Sequence, residues 1–224
     1  MGVTETEPPI FEFTGNALCL DFVNTIHDRA SERPRELLNS YSDLVAWGQQ
    51  AHVLTDKEAQ HLLEEAVRRP TEAAGVLRRT VEVREALFRI FSASIAGSIP
   101  EQADLSTFNG ALSEAMTHTR IVPKGNGFEW DWADHEDTLE HVLWVVVRSA
   151  ADLLTSKERD AVRICAASDC SWLFLDTSKN HSRRWCDMNT CGNRAKARRH
   201  YGRKKSPTPE GQGAINRAAA FGER

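Results

Sequence analysis

The sequence predicts a mainly α chain of the α+β kind: a helical N-terminal domain carrying a β-hairpin, followed by a small cysteine-rich C-terminal module. Three observations predict this. Apolar residues recur at helical spacing in six segments between residues 16 and 155. One stretch, RIVPKGNGFEWDW (120–132), alternates instead. Four of the five cysteines fall within 27 residues, as C-x4-C-x15-C-x4-C. With 224 residues, 41% of them hydrophobic, the chain can bury a real core in one or two domains. The expected boundaries are 1–157 for the helical and hairpin domain, 158–205 for the cysteine module and 206–224 for a flexible tail rich in Pro, Gly and Ala.

The elements follow in order. IFEF (10–13) reads as a short strand. NALCLDFVNTI sets Leu18, Phe22 and Ile26 four residues apart, with Cys19 and Val23 beside them, which is one helix face. Residues 28–40, with Pro34, read as a loop. A helix over 42–52 carries Leu44, Val45 and Trp47. Thr55 and Glu58 form a capping box for a helix that buries Ala59, Leu62, Leu63 and Ala66, and Pro70 stops it. A helix over 72–96 presents Leu77, Val81, Phe88, Phe91 and Ile95. Another over 101–118 presents Leu105, Phe108, Leu112 and Met116. The alternating stretch turns at Gly125, Asn126 and Gly127, so Phe128, Trp130 and Trp132 are expected on one buried face of a β-hairpin. Asp134 can cap a last helix, 135–155, with Leu139, Val142, Leu143, Val146, Ala150 and Leu153 inward.

Several function classes are excluded at this level. No run approaches eighteen apolar residues, and MGVTETEPP has neither the basic nor the apolar part of an export signal. It matches a myristoylation pattern at Gly2 and Thr6, but Glu5 and Glu7 oppose an anionic membrane. No membrane partner is expected, and a cytoplasmic location is. Nucleophile-elbow, phosphate-loop and dinucleotide motifs are missing from the sequence. The histidines of HEDTLEH (135–141) are six apart, about 240° around a helix, and so cannot share a metal as a zinc protease requires. No enzymatic activity is expected.

Four clustered thiols in a chain without an export signal favour a metal over two disulfides. Zinc in a structural site takes four ligands in a tetrahedron, and thiolates suit it. Cys165, Cys170, Cys186 and Cys191 are therefore the candidate ligands of one structural Zn2+. Unligated thiols, a reversible redox pair and an iron site are the alternatives. Four thiolates leave no position for a reactive water, so catalytic zinc is not expected. The first pair is placed on a β-turn leading into a hairpin of WLFL and SKNHSR, and the second pair comes off the far strand. Cys191 opens a helix whose positive dipole end helps hold its thiolate.

The net charge of −4 conceals a split. From Arg163 to Lys205, eleven Lys/Arg face three Asp, a local charge of +8, which leaves −12 on the rest. Such asymmetry suggests that one part meets a polyanion. Arg183, Arg184 and Arg194 could merely offset the formal −2 of a four-thiolate zinc. Lys196, Arg198, Arg199, Arg203, Lys204 and Lys205 run away from the metal. The candidate nucleic-acid contacts are all of these together with Asn193. On a helix, Arg194 and Arg198 share one face, and Lys196, Arg199 and Arg203 another. In the N-terminal domain, Asp21, Asn24, Thr25 and His27 could line a ligand pocket. The competing and preferred reading is a core helix whose polar groups bond to neighbours.

CAASDCSWLFLDTSKNHSRRWCDMNTCGNRAKARRHY resembles the CGNR zinc-finger family, with Cys191, Gly192, Asn193 and Arg194 as the naming motif. NALCLDFVNT and the helical region after it resemble the ABATE domain that accompanies this finger in bacterial proteins. The resemblance covers nearly all but the first residues and the tail. It implies a stress-induced transcription regulator whose treble-clef-like finger binds double-stranded DNA. The N-terminal domain would then sense a small-molecule effector or form a homodimer. The rival reading is a zinc-stabilised module that docks on a protein, or on RNA, without a specific DNA target.

Overall fold

The computed structural model describes residues 8–133 and 138–198. In chain order the elements are α1 (Leu18–Val23), β1 (Ile26–His27), β2 (Arg35–Glu36), α2 (Tyr41–Gln50), α3 (Asp56–Arg68), α4 (Pro70–Ile95), α5 (Gln102–Thr117), β3 (Thr119–Lys124), β4 (Gly127–Trp132) and α6 (His141–Thr155). A 3-10 turn (Lys157–Ala161) leads to β5 (Val162–Ile164) and β6 (Leu173–Leu175). A π turn (Met188–Gly192) runs into a final helix, α7, over 193–198. The strands form three separate antiparallel pairs, β1–β2, β3–β4 and β5–β6.

Local chemistry sets the helix starts. Ser40 accepts from the Asp43 backbone N–H while Asp43 reaches back to the Ser40 N–H. Thr55 and Glu58 do the same for α3. Pro70 both prevents α3 from continuing and begins α4, at a helical position where a missing N–H costs nothing. Helices α4, α5 and α6 pack on one another, and α1 and α2 close the other side around the fully buried Trp47, Phe22, Phe91 and Leu87. The core does not stop at residue 157: Val162, Leu173 and Leu175 belong to the same apolar cluster as the helices.

Several expectations need correction. Residues 10–13 form no strand; Phe11 is buried and its backbone N–H donates to Gln50 Oε1 at 3.0 Å. The first helix ends at Val23, and Ile26 belongs to the short β1–β2 ladder inside the segment read as helix and loop. Helix α4 buries Ala73, Val76, Thr80, Val83, Arg84, Leu87, Ile90 and Phe91, so its inward face is wider and rotated from the one expected. Four of the expected residues, Leu77, Val81, Phe88 and Ile95, flank it. In α5, Ala111 and Ala115 are buried, while Met116 is exposed. The hairpin forms as expected and pairs Trp130 with Ile121 and Phe128 with Pro123, but its apolar face is not buried. Phe128 is 78% exposed and Trp130 52%. Trp132 sits at the root near Trp144 of α6. Trp130 is covered by the Arg148 guanidinium, 4.1 Å from its ring centre. The proposed Asp134 cap and the start of the last helix at 135–137 lie outside the described residues.

One buried group had no sequence signal. Arg84, 1% exposed, donates to both carboxylate oxygens of Glu36 at 2.6 Å and to Thr25 Oγ1 at 3.1 Å, and also bonds Glu85. Glu85 in turn accepts from Arg29, which lies over the Phe88 ring. Burial pushes Glu36 and Glu85 up, but their arginine partners outweigh it and hold both carboxyls below the ordinary range. This cluster ties β2 and the end of α1 to α4. Removing its centre leaves the half-buried Glu36 without its counter-charge and Glu85 with Arg29 alone. Arg84→Ala is therefore expected to cost about 3 kcal/mol in urea unfolding, well above the effect of an exposed arginine such as Arg78.

Candidate metal centre and nucleic-acid surface

Strands β5 and β6 are three residues each and pair Val162 with Leu175, Arg163 with Phe174 and Ile164 with Leu173. The turn between them is a knuckle. Cys165 N–H donates to Trp172 C=O at 2.8 Å, and Cys170 N–H to Ala167 C=O at 3.2 Å. Ser171 takes a left-handed conformation, φ 59°, to bring the chain back. The first cysteine pair is thus on this turn, but the second does not follow a strand as expected. Residues 176–187 contain no strand and are folded by side chains. Asp176, 1% exposed, accepts from Ser178 N–H and Oγ and from Arg183 N–H, at 2.6–3.0 Å. Burial pushes this carboxyl up, and those donors more than compensate, holding it low. Arg183 then donates to the backbone oxygens of Trp185, Cys186 and Thr14 and lies over Phe174. The loop so pinned presents Cys186.

Asp187 accepts from Thr190 N–H at 2.7 Å and opens the π turn that carries Cys191. Cys191, Asn193 and Arg194 of the naming motif each make a bond or contact within the finger, and Gly192 lies against the Met188 side chain. Cys191 faces the other sulfurs. A Cβ on Gly192 would come within 2.3 Å of Met188 Sδ. Asn193 Nδ2 donates to Asn189 C=O at 3.1 Å. Arg194 Nη2 donates to Cys191 Sγ at 3.2 Å and faces Asp169 at 3.5 Å.

The four sulfurs of Cys165, Cys170, Cys186 and Cys191 are buried and lie within 4.8 Å of one another. Cys170–Cys186 and Cys186–Cys191 are 3.7 Å apart. A tetrahedron with Zn–S of about 2.3 Å has an edge of about 3.8 Å, so these separations fit the ion. The electrostatics fit as well. Without a cation the sulfurs compete: S–H donors from Cys170 and Cys186 hold the Cys165 thiol low, and this pushes Cys170 and Cys186 up. A dication allows all four to ionise. The cysteines hold one structural zinc, and the Cys191 sulfur receives an arginine donor in addition.

The cationic residues divide into two groups. Arg183 and Arg194 serve the loop and the metal centre. Arg198 donates to Ser168 Oγ and Asp169 Oδ2, both at 2.7 Å, so it clasps the knuckle. Arg184 is exposed, with its guanidinium 5.4 Å from the Trp185 ring centre. Lys196 is exposed on the opposite side of α7 from the clasp. Arg199, Arg203, Lys204 and Lys205 lie outside the described residues.

The four N-terminal candidates point to different partners. Asp21 Oδ1 accepts from Gly15 N–H at 2.7 Å. Asn24 Nδ2 donates to Leu173 C=O at 2.8 Å, and Asn24 Oδ1 accepts from Leu173 N–H at 2.9 Å. Thr25 donates to Phe22 C=O and accepts from Arg84. His27 stacks edge-on against Trp172 and, with Glu12, Asp28 and Arg194, lines a cleft of about 140 Å³ beside the metal centre. His27 Nδ1 also lies 3.3 Å from Arg35 Nη2, so in place of a shared ligand pocket all four are engaged within the protein. Asp169, Asp176 and the Asn24–Leu173 pairing were missed by sequence reasoning, since each depends on a contact that spacing does not encode.

A helical domain joined through a continuous core to a four-cysteine zinc finger is the class that fold and site define. Comparison with family models places the chain further. Residues 16–157 match ABATE, described as "Putative stress-induced transcription regulator", and residues 161–204 match the CGNR zinc finger. The chain belongs to the ABATE family and carries a CGNR finger. No curated protein matched it. Among the described residues no helix is long and apolar enough to cross a membrane.

Two predictions follow from these geometries. Protein purified without chelator should contain one zinc per chain by elemental analysis, and Cys186→Ser should fall well below that. Burial pushes the Asp21 carboxyl up to about 6, against an unfolded value of about 3.9. The native state therefore takes up a proton that the unfolded chain does not between about pH 4 and 6, and stability gains from Asp21 as pH falls through that window. In Asp21→Asn, urea unfolding across the same window should lose that gain, by up to one proton in the slope.

Proposed function

We propose that the protein is a non-enzymatic, cytoplasmic transcription regulator whose finger binds double-stranded DNA through α7 and the basic residues after it. The observation that carries this reading is the way α7 is held. Cys191 ties its start to the metal, and Arg194 and Arg198 clasp Asp169, so the face bearing Lys196 is turned outward in a set direction. The sequence continues with Arg199, Arg203, Lys204 and Lys205. Cations in a row gain most from a phosphate backbone, through release of condensed counterions. Asn193, exposed at the start of the helix, would be the residue to read a base edge, on release of its bond to Asn189 C=O. The N-terminal domain would supply sensing of a small-molecule effector or homodimer formation.

A second reading, a protein-interaction module, is favoured by one feature: the exposed Ile121, Phe128 and Trp130 on a single face of the β3–β4 hairpin.

The two readings separate on duplex binding. If about five phosphates are neutralised, log affinity should fall against log salt with a slope of roughly −4 to −5. Lys196→Ala should reduce that slope by about 1. Arg198→Ala should change it less, because Asp169 already holds that guanidinium. Measured by fluorescence anisotropy, absence of binding at low salt would leave the interaction reading in place.

A further inference from the structure

Strand β6 has two edges. One pairs with β5. On the other, the N–H and C=O of Leu173 and Leu175 face the segment around α1, and both residues are satisfied there. Asn24 binds both backbone groups of Leu173 through its side-chain amide, at 2.8 and 2.9 Å. Gly15 C=O accepts from Leu175 N–H at 2.7 Å, and Asn16 Nδ2 donates to Leu175 C=O at 3.0 Å. Residues 15–16 and Asn24 thus replace a third strand, one on each side of the six-residue helix α1. Asn24 is 3% exposed, so its amide has no water to turn to. Asn16 holds a left-handed φ of 59°, which asparagine tolerates and most residues resist. Two more contacts reach the metal loops from the same segment. Trp172 Nε1 donates to Ile26 C=O at 2.8 Å, two residues after Cys170, and Arg183 donates to Thr14 C=O at 3.2 Å, three residues before Cys186.

We infer that the segment 14–26 is part of the zinc site's framework, with Asn24 as a positioning residue for ligands more than 140 positions away. The finger is then not a separate unit. Strands of three residues do not hold a register alone, and an isolated hairpin is at best marginal in water. The metal fixes one end of this hairpin, and the N-terminal segment fixes its length. Because binding and folding are linked, the coupling runs both ways. Loss of the Asn24 pairing weakens zinc retention, and loss of zinc loosens the N-terminal segment. The inference does not depend on what the finger binds, so failure of DNA binding would leave it intact.

The test uses the full chain and zinc in competition with a chromophoric chelator. Asn24→Ala leaves two buried backbone groups of Leu173 unpaired, and about tenfold weaker zinc binding is expected. Asn16→Gly keeps the left-handed backbone and removes one bond, so a loss of about threefold is expected. Leu62→Ala, a buried α3 residue outside these contacts, should lower overall stability and leave zinc affinity unchanged. In the unaltered chain, hydrogen exchange at residues 18–26, 173 and 175 should quicken when zinc is removed, while α5 stays protected. Zinc affinity within twofold of the parent in both asparagine variants would overturn the inference. So would an equal loss in Leu62→Ala, or unchanged exchange at residues 18–26 after zinc removal. If Asn24→Ala does not fold, Asn16→Gly and the exchange experiment decide.

Discussion

The free edge of a three-residue strand is the constraint on which the rest of this structure depends. β6 is too short to be held by β5 and too polar along its open edge to be buried unpaired. The protein meets both demands with side-chain amides. Asn24 offers one donor and one acceptor in the geometry of a peptide group, and Leu173 meets it with one of each. That pairing lets Leu173 and Leu175 enter the main core with α1 and α6, although their strand belongs to the metal module. Asp21 supports the same arrangement from behind. Its carboxylate holds the Gly15 N–H, and a side chain at Gly15 would collide with Asp21 and Leu20. The carboxylate is buried to do this, which is why its proton is held more tightly than an ordinary aspartate's.

The metal centre and the basic helix answer to a second electrostatic requirement. Four thiolates around a dication leave a formal charge of −2 in a buried place. Arg194 lies beside Cys191, and burial of its guanidinium is outweighed by the sulfur's charge, so its proton is held more firmly than usual. Asp169 then balances the arginines: its contact with Arg198 keeps its carboxyl low. The alternation of sulfur, guanidinium and carboxylate locks α7 against the knuckle. Arg194 and Arg198, one turn apart on α7, both face Asp169 of the knuckle. The helix's direction is therefore inherited from the zinc site.

How much of this was legible in the sequence depends on the range of the interaction. The four ligands were legible because zinc geometry constrains local spacing, and the Thr55–Glu58 capping box because it spans three residues. The inward residues of the last helix were legible from a strong 3.6-residue period. The hairpin was legible too, since its turn is local. Its exposure was not: alternation shows that Phe128 and Trp130 share a face but not whether any layer covers it. Arg84 carries no periodic signal, because its burial depends on Glu36, forty-eight positions away in the chain. Asn24 was read as either pocket or core, and spacing could not distinguish them, since its partner is Leu173. The first motif of the chain and the finger thus read as two separate signals, yet in the fold they are the two sides of one joint.

The charge split read from the sequence also changes meaning. Part of the acidic excess in the N-terminal domain is internal: Glu36 and Glu85 face Arg84 and Arg29, and Asp104 holds Arg89. Part of the basic excess is internal as well, since Arg183, Arg194 and Arg198 each have partners within the finger. These contacts lie within their own segments and leave the sums of +8 and −12 unchanged; what they change is which cations stay open to a partner. Arg184 and Lys196 are exposed, and the sequence adds Arg199, Arg203, Lys204 and Lys205 after the clasped Arg198. The clasp marks where the metal centre's own electrostatics end. Among the described residues of α7, Lys196 lies outside the clasp and is exposed, on a helix whose start Cys191 anchors.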